Sequence, residues 1–390
     1  MIYPAFTDEE QCLLAEVRAL VPALSERAAA TDAARDVPRE TIAEFHRAGI
    51  LRILQPRRFG GLQLRFSLFS RIVETITEVC ASSGWVYAVL GEHQWLLASY
   101  PLEAQIDVWG GDPLAVASSS LAPRAMAERT AGGWRLSGSF PFSSGSSHAQ
   151  WAIIGAFLDR PADPAAIAYL LVPFSEIEVV DDWYVLGLAG TGSRTLKLRD
   201  VFVPEHRSVM LADLLAGTVP GAEVHADYPL IQAPRGLMVN YSLPPVAVAL
   251  GNRALRVALA TLRAKVSRGV STLAASEFVQ MTVAEAAAAI DAATLTMHSG
   301  RAKAEALVAK GEPIPQEYVA RTRRDMTYAQ HQVQWAVERL VEVCGAQSAY
   351  DSDPLGRIRR DVLTVLTHNI ASRQAAMGAW GKVALSPSSP

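Results

Sequence analysis

Cysteine is scarce in this sequence: Cys12, Cys80 and Cys344 are the three in 390 residues. They lie far apart, with neither metal-ligand nor disulfide spacing, so a reducing cytoplasm is the expected compartment. Nucleotide-binding punctuation is missing as well. No GxGxxG joins a strand to a helix and no P-loop occurs, which speaks against a nicotinamide or nucleoside triphosphate held by those motifs. The eight histidines include no HxxxH-type pair, so a metalloenzyme is not expected. Charge of one sign is lacking too: the formal net charge is -3, with no basic field for nucleic acid or an anionic membrane. No uninterrupted apolar stretch reads as long enough to span a bilayer. The opening "MIYPAFTDEEQCLLAEV" lacks the basic and apolar regions of a secretory signal.

Apolar residues, by contrast, are half of the chain, enough to build more than one core. Their texture changes twice. Residues 1–113 read as a helical domain: "DEEQCLLAEVRALVPALSERAAATDAARD" and "FSLFSRIVETITEVCASSGWVYAVLGEHQWLLASY" carry apolar residues at three- and four-residue steps. Residues 114–207 hold short runs rich in branched and aromatic residues, among them "WRLSGSFPF", "WAIIGAFL" and "TLKLRDVFVP", broken by Gly-Gly, Pro and Asp. That pattern predicts an antiparallel barrel or sandwich. A linker follows over 208–243. Residues 244–390 then hold four long helical segments with Gly or Pro at the breaks, the pattern of a four-helix bundle.

Between two of the strand-like runs lies "SGSFPFSSGSSHAQW" (137–151), with serines at 139, 143, 144, 146 and 147. A solvated loop accounts for such a cluster, and so does a row of small donors around a ring-shaped ligand. Alternation along an extended chain predicts that only one of Ser143 and Ser144 points inward; the preference falls on Ser144. Ser118 and Ser120 share a strand face and Ser119 should point away. His148 should face outward or cap the loop. "GLAGTGSRT" (187–195) reads as a strand-connecting turn. His93 lies eight residues after Trp85, on roughly the same helix face. It reads either as a wall of a polar pocket or as a helix histidine packed beside Trp95. Trp85, Tyr87, Trp95 and Trp380 either line a substrate pocket or pack the core.

These strings in this order resemble the acyl-CoA dehydrogenase fold over nearly the whole chain. "AVASSSLAP" is similar to that family's first flavin-contacting strand, "WRLSGSFPFSSGSSHAQWAIIGAF" to its strand, flavin-side loop and strand, and "RLVEVCGAQSAYDSDPLGRIRRD" to a turn that reaches a neighbouring subunit's flavin. The family's usual glutamate base, just past an Arg-Asp pair in the last helix, is absent. "RRDVLTVLTHNI" has no acid after Asp361 and places His368 there instead. With "SGW…H" and "FSSGxxHAxW", this resembles the flavin-dependent hydroxylases of two-component systems, the relatives of 4-hydroxyphenylacetate hydroxylase and of polyketide and steroid hydroxylases.

The resemblance implies reduced FAD or FMN from a separate NAD(P)H:flavin reductase, oxygen as co-substrate, a C4a-hydroperoxyflavin and a small aromatic substrate. It also implies a homo-oligomer, a tetramer in the parent family. His368 would act as base or hydrogen-bond donor, His93 would orient the substrate, and Ser143 or Ser144 would bond the flavin's reactive edge. Ser118, Ser120, Phe142, Arg268, Gly345 and Gln347 would contact the cofactor, and Trp85, Tyr87, His93 and Trp95 the substrate. The alternatives are an N- or S-oxygenase of the same fold, an acyl-CoA dehydrogenase with a relocated base, or a silent scaffold.

Overall fold

The computed structural model describes residues 6–264, 266–267 and 271–386. Thr7 opens the first helix with a reciprocal cap: Glu10 N–H donates to its hydroxyl at 3.3 Å, and its own N–H donates to Glu10 Oε2 at 2.8 Å. The chain then runs through α1 (Asp8–Ala34), α2 (Arg39–Arg47), α3 (Phe66–Thr77), α4 (Ala81–Ala98) and α5 (Leu102–Trp109). Helix α4 is largely apolar and buried on all sides along almost its whole length, as a central helix must be. Gly91 admits α3 against its backbone, since a Cβ there would meet the Phe69 ring at 2.6 Å. One face of α4 meets α3 and the other meets the first strand.

The strands are β1 (Ala117–Ser120), β2 (Met126–Thr130), β3 (Gly133–Ser143), β4 (Trp151–Leu158), β5 (Ile167–Pro173), β6 (Glu178–Val180), β7 (Arg194–Pro204) and β8 (Ser208–Met210). They form one sheet in the order β6-β7-β3-β2-β4-β5-β8, with β1 alongside β4. The expected wholly antiparallel domain is therefore corrected to a mixed sheet, because β4 runs parallel to both β1 and β2. The serine-rich segment brings the chain back to the start of β1, where the Gln150 and Trp151 N–H groups donate to the Val116 carbonyl. From there β4 runs beside β1 in the same direction, Ala117 pairing with Trp151 and Ser120 with Ile154. The sheet encloses its own small core around Trp134, Phe140, Leu170 and Leu196, apart from the larger helical core.

The stretch expected as a linker carries β8 and three helices, α6 (Leu211–Ala216), α7 (Gly221–Val224) and α8 (Arg235–Ser242). Beyond it come α9 (Pro244–Ala264), α10 (Glu277–Val308), α11 (Gln316–Cys344), α12 (Pro354–Val365) and α13 (Arg373–Leu385). The fourth expected bundle helix is thus two helices. Polar side chains end the first and start the second: the Thr364 and Thr367 hydroxyls donate back to the Arg360 and Thr364 carbonyls. Ser372 then caps α13 by accepting the Ala375 N–H. By length and apolarity, 235–264 and α10 would each suffice to cross a membrane, contrary to the sequence reading; both pack against α11 in the bundle.

Candidate active site

The serine segment meets the start of α4 and the break between α12 and α13. A bulge between Phe140 and Ser143 disturbs the β3–β7 register, and Phe142 takes a left-handed φ of 69°. A bulge resets the alternation of side chains. Ser143 and Ser144 therefore both turn inward, with 0% and 6% of their surface exposed, against the expectation that one would. Neither is free for a ligand in this arrangement. Ser143 Oγ lies 2.8 Å from Ser118 Oγ, tying β3 to β1. Ser144 Oγ accepts the Trp85 indole N–H at 3.0 Å and lies 2.7 Å from Ser193 Oγ. Ser120 donates to the Pro141 carbonyl at 2.6 Å, another brace between the same strands. Ser146 donates to the Gly192 carbonyl and Ser147 to Asp36. His148 is turned in against Asp36 at 3.3 Å instead of outward. Ser143, Ser144 and Ser146 are internal struts, whereas Ser139 and Ser147 are exposed.

Two histidines flank this braced corner with opposite tautomers, each set by a backbone partner. His93, buried in α4, has Nδ1 at 2.7 Å from the Ala117 carbonyl. A carbonyl only accepts, so Nδ1 carries the proton and Nε2 offers a lone pair. The Ser119 hydroxyl, 3.1 Å away, donates to it. Ser119 does point away from the Ser118–Ser120 face, but towards His93 and not towards solvent. His368 is the reverse case. It stands in the break between α12 and α13, not within a helix, and its Nδ1 accepts the Ile370 N–H at 3.2 Å. Its proton is therefore on Nε2, and among the described residues nothing accepts it.

The His368 side chain is exposed to solvent in the single chain, with the Trp85 ring packed against one edge of it. Desolvation, with help from the Arg235 charge, holds its pKa down at about 4. Desolvation likewise holds His93 at about 4, against the opposing pull of the Ala117 carbonyl. Both rings are neutral at pH 7. Trp85 joins the two sides: its ring meets His368 edge-on, centroids 5.6 Å apart.

Other candidates lie elsewhere. Tyr87 is wholly buried, stacks near Phe69 and Phe45, and donates to the Ile50 carbonyl. Trp95 is equally buried and donates to the Leu230 carbonyl at 2.8 Å. Both are core residues, not pocket walls, because α4 buries every side. Trp380 stacks with Arg324 on the bundle. Gly345 caps α11 with φ 76°, and Gln347 lies exposed in the following turn. Arg268 lies outside the described residues.

The structure adds residues that sequence reasoning passed over. Glu92 is fully buried beside His93, Oε2 being 3.8 Å from its Nε2, and desolvation raises its pKa. An acid inside so apolar a helix was the available signal. Arg235, at the start of α8, has a buried Nε with no hydrogen-bond partner among the described residues. Thr191 and Ser193, in the turn before β7, continue the serine struts. Asp361 accepts the Leu188 N–H at 2.7 Å, so the last acid before His368 faces that turn and is not a relocated base.

A flavin fits these residues. Phe142 exposes 63% of its surface as an apolar ledge, edge-on to Trp183. Two residues along, beyond Ser144 and Trp85, stands the Nε2–H of His368, with no acceptor among the described residues.

Comparison with known proteins agrees. The family described as "Acyl-CoA dehydrogenase, N-terminal domain" matches residues 7–109, and "Acyl-CoA dehydrogenase, C-terminal domain" matches 243–373. The oxygenase subunit HsaA of a flavin-dependent monooxygenase from Mycobacterium tuberculosis (strain ATCC 25618 / H37Rv) is 36% identical over 96% of this chain and 95% of its own. The oxygenase component of the FADH(2)-dependent resorcinol hydroxylase of Rhizobium sp. (strain MTP-10005) is 35% identical, over 94% and 92%. A crystal structure of HsaA from M. tuberculosis superposes with a TM-score of 0.90 at 34% identity, covering 97% of this chain and 99% of that one. The chain belongs to the acyl-CoA dehydrogenase fold family, among its flavin-dependent monooxygenase oxygenase subunits.

Proposed function

We propose that this protein hydroxylates a small phenolic substrate, taking reduced FAD or FMN from a separate flavin reductase. The observation that carries this reading is the pair of oppositely set tautomers, His93 with an Nε2 lone pair and His368 with an Nε2 proton, on two sides of one braced corner. When bound, reduced flavin supplies two electrons to O2, so that one oxygen atom enters the substrate and the other leaves as water.

The chain's own residues handle the protons. Ser119 is the accessible end of the buried His93: it donates to Nε2, and its oxygen then accepts the phenolic O–H. That hydrogen bond pushes electron density into the ring, towards the carbon to be attacked. With its pKa near 4, His93 is a far weaker base than a phenolate. It therefore polarises the O–H in the ground state and takes the proton only as the ring is attacked. His368 donates its Nε2–H to the oxygen being transferred or to the leaving hydroxide.

Exposed Phe278, Met281, Leu295, Tyr328 and Trp335 on α10 and α11 support assembly into an oligomer. The test is turnover. The purified protein should leave NADH unoxidised, and should hydroxylate phenols from a panel once a flavin reductase is added. Rapid NADH oxidation by the protein alone, or reduction of its flavin by an acyl-CoA, would exclude the reading.

A further inference from the structure

We propose that Asp361 is a positioning residue for the oxygenation site. It acts on Trp85, and through Trp85 on His368, by fixing the Leu188 backbone in the turn before β7, from whose carbonyl a run of hydrogen bonds leads to α4. The inference rests on the preceding reading of the Trp85–His368 corner as that site.

The connection begins where the Asp361 carboxylate accepts the Leu188 N–H at 2.7 Å. Leu188 holds a left-handed φ of 52°, strained for a branched-chain residue, so something must fix it. Asp361 fixes its N–H, and its carbonyl accepts from the Thr191 hydroxyl at 2.8 Å and from Trp183 Nε1 at 3.2 Å. Thr191 Oγ1 lies 2.7 Å from Ser193 Oγ, Ser193 Oγ 2.7 Å from Ser144 Oγ, and Ser144 Oγ 3.0 Å from Trp85 Nε1.

The ends dictate the direction of every proton in between. The Leu188 carbonyl can only accept and the Trp85 indole N–H can only donate. Thr191 gives its one proton to Leu188, so Ser193 must give its own to Thr191, and Ser144 to Ser193. No hydroxyl in the chain keeps a proton for a ligand. The run from the Trp85 N–H to the Leu188 carbonyl polarises cooperatively, and Asp361 reaches it by holding the Leu188 backbone, and with it the position of that carbonyl, through the N–H it accepts.

The glycines of "GLAGTGS" are where the turn is pressed on by its neighbours. A Cβ on Gly187 would strike the Arg360 carbonyl of α12, and one on Gly190 would lie 2.8 Å from the Thr31 carbonyl of α1. The turn is clamped between the helix that leads to His368 and the helix beneath α4.

Asp361 is itself poised to change charge. It is buried, and it shares its surroundings with Asp32 of α1, Arg253 of α9, Cys80 at the head of α4 and Arg357 of its own helix. Burial, then the Asp32 charge, push its pKa up to about 7, against the Leu188 N–H and the two arginines. Ionised, it is a strong acceptor for Leu188; protonated, a weaker one.

The test labels the protein with 5-fluorotryptophan and follows the Trp85 fluorine signal, assigned with Trp85→Phe. The signal should shift with a midpoint near pH 7 in the wild type. Asp361→Asn keeps an oxygen acceptor but removes the charge, and should abolish that shift. Thr191→Val, which cuts the chain without touching Asp361, should abolish it too. With reduced flavin, oxygen and a phenol, Thr191→Val should release several-fold more hydrogen peroxide per product at unchanged flavin affinity. A Trp85 signal that is indifferent to pH, or one that still titrates in Asp361→Asn or Thr191→Val, would overturn the proposal. A titrating signal that both variants abolish, in a protein that hydroxylates no phenol, would support the chain and overturn the functional reading instead.

Discussion

Replacing His368 separately by alanine and by glutamine distinguishes a hydrogen-bond donor from a base. The Ile370 N–H occupies Nδ1, so the neutral ring has only its Nε2–H to offer a ligand. Glutamine can present an N–H at similar reach but cannot take up a proton near neutrality. Loss of one such bond is worth about 1–1.5 kcal/mol, a 5- to 12-fold effect. Loss of a positioned base costs roughly 100-fold or more. The assay mixes enzyme and reduced flavin with oxygen and a phenol, and measures product and hydrogen peroxide per flavin oxidised. His368→Ala should lower the product yield about 5- to 12-fold, and His368→Gln should regain most of it. Because desolvation keeps the wild-type ring neutral down to about pH 4, this residue should impose no pH dependence above pH 6. Suppose instead that both variants fell 100-fold and recovered together as the pH approached the phenol's own pKa of about 10. His368 would then be a base, and the tautomer argument would be refuted.

Two further outcomes follow from the geometry. Ser144→Ala strands two partners, the Trp85 N–H and Ser193, whereas Ser143→Ala strands only Ser118. Urea unfolding should therefore show a loss of about 2–3 kcal/mol for Ser144→Ala and about 1 for Ser143→Ala, and equal or negligible losses would count against the strut assignment. For His93 the folded-state pKa is depressed from 6.5 to about 4, so the unfolded chain takes up the proton first. Its contribution is present above pH 6.5 and is lost as the pH falls towards 4, up to about 3 kcal/mol. His93→Asn should remove that share of the acid lability, seen as a smaller drop in urea midpoint between pH 7.5 and 4.5. An identical drop in variant and wild type would mean that His93 is not buried neutral.

Much of the architecture could be read from short-range pattern. Period-3.6 apolar steps mark α1, α3 and the bundle, because that periodicity reports a face that must be buried, and short runs rich in branched and aromatic residues between Gly, Pro and Asp mark β3, β4 and β7. β2, with its polar "MAERT", and β8, three residues long, carry no such pattern and went unseen. The helices inside 208–243 are short, and their stability comes from docking, to which propensity is blind.

What the sequence by itself determined is the inventory: serines where the chain returns to β1, a histidine in place of the family's carboxylate, Ser118 and Ser120 on one strand face, and glycines where α12 and α1 close on the turn before β7. What only the tertiary structure decided is the use of each. A bulge at Phe142 cancels alternation, so Ser143 and Ser144 both point inward. Burial of α4 on all sides consigns Tyr87 and Trp95 to the core, leaving Trp85 at the edge of the site. Two backbone groups, the Ala117 carbonyl and the Ile370 N–H, choose opposite tautomers for chemically identical rings. Such choices depend on atoms far apart along the chain, and the hydrogen-bond partner that settles each of them exists only once the fold has formed.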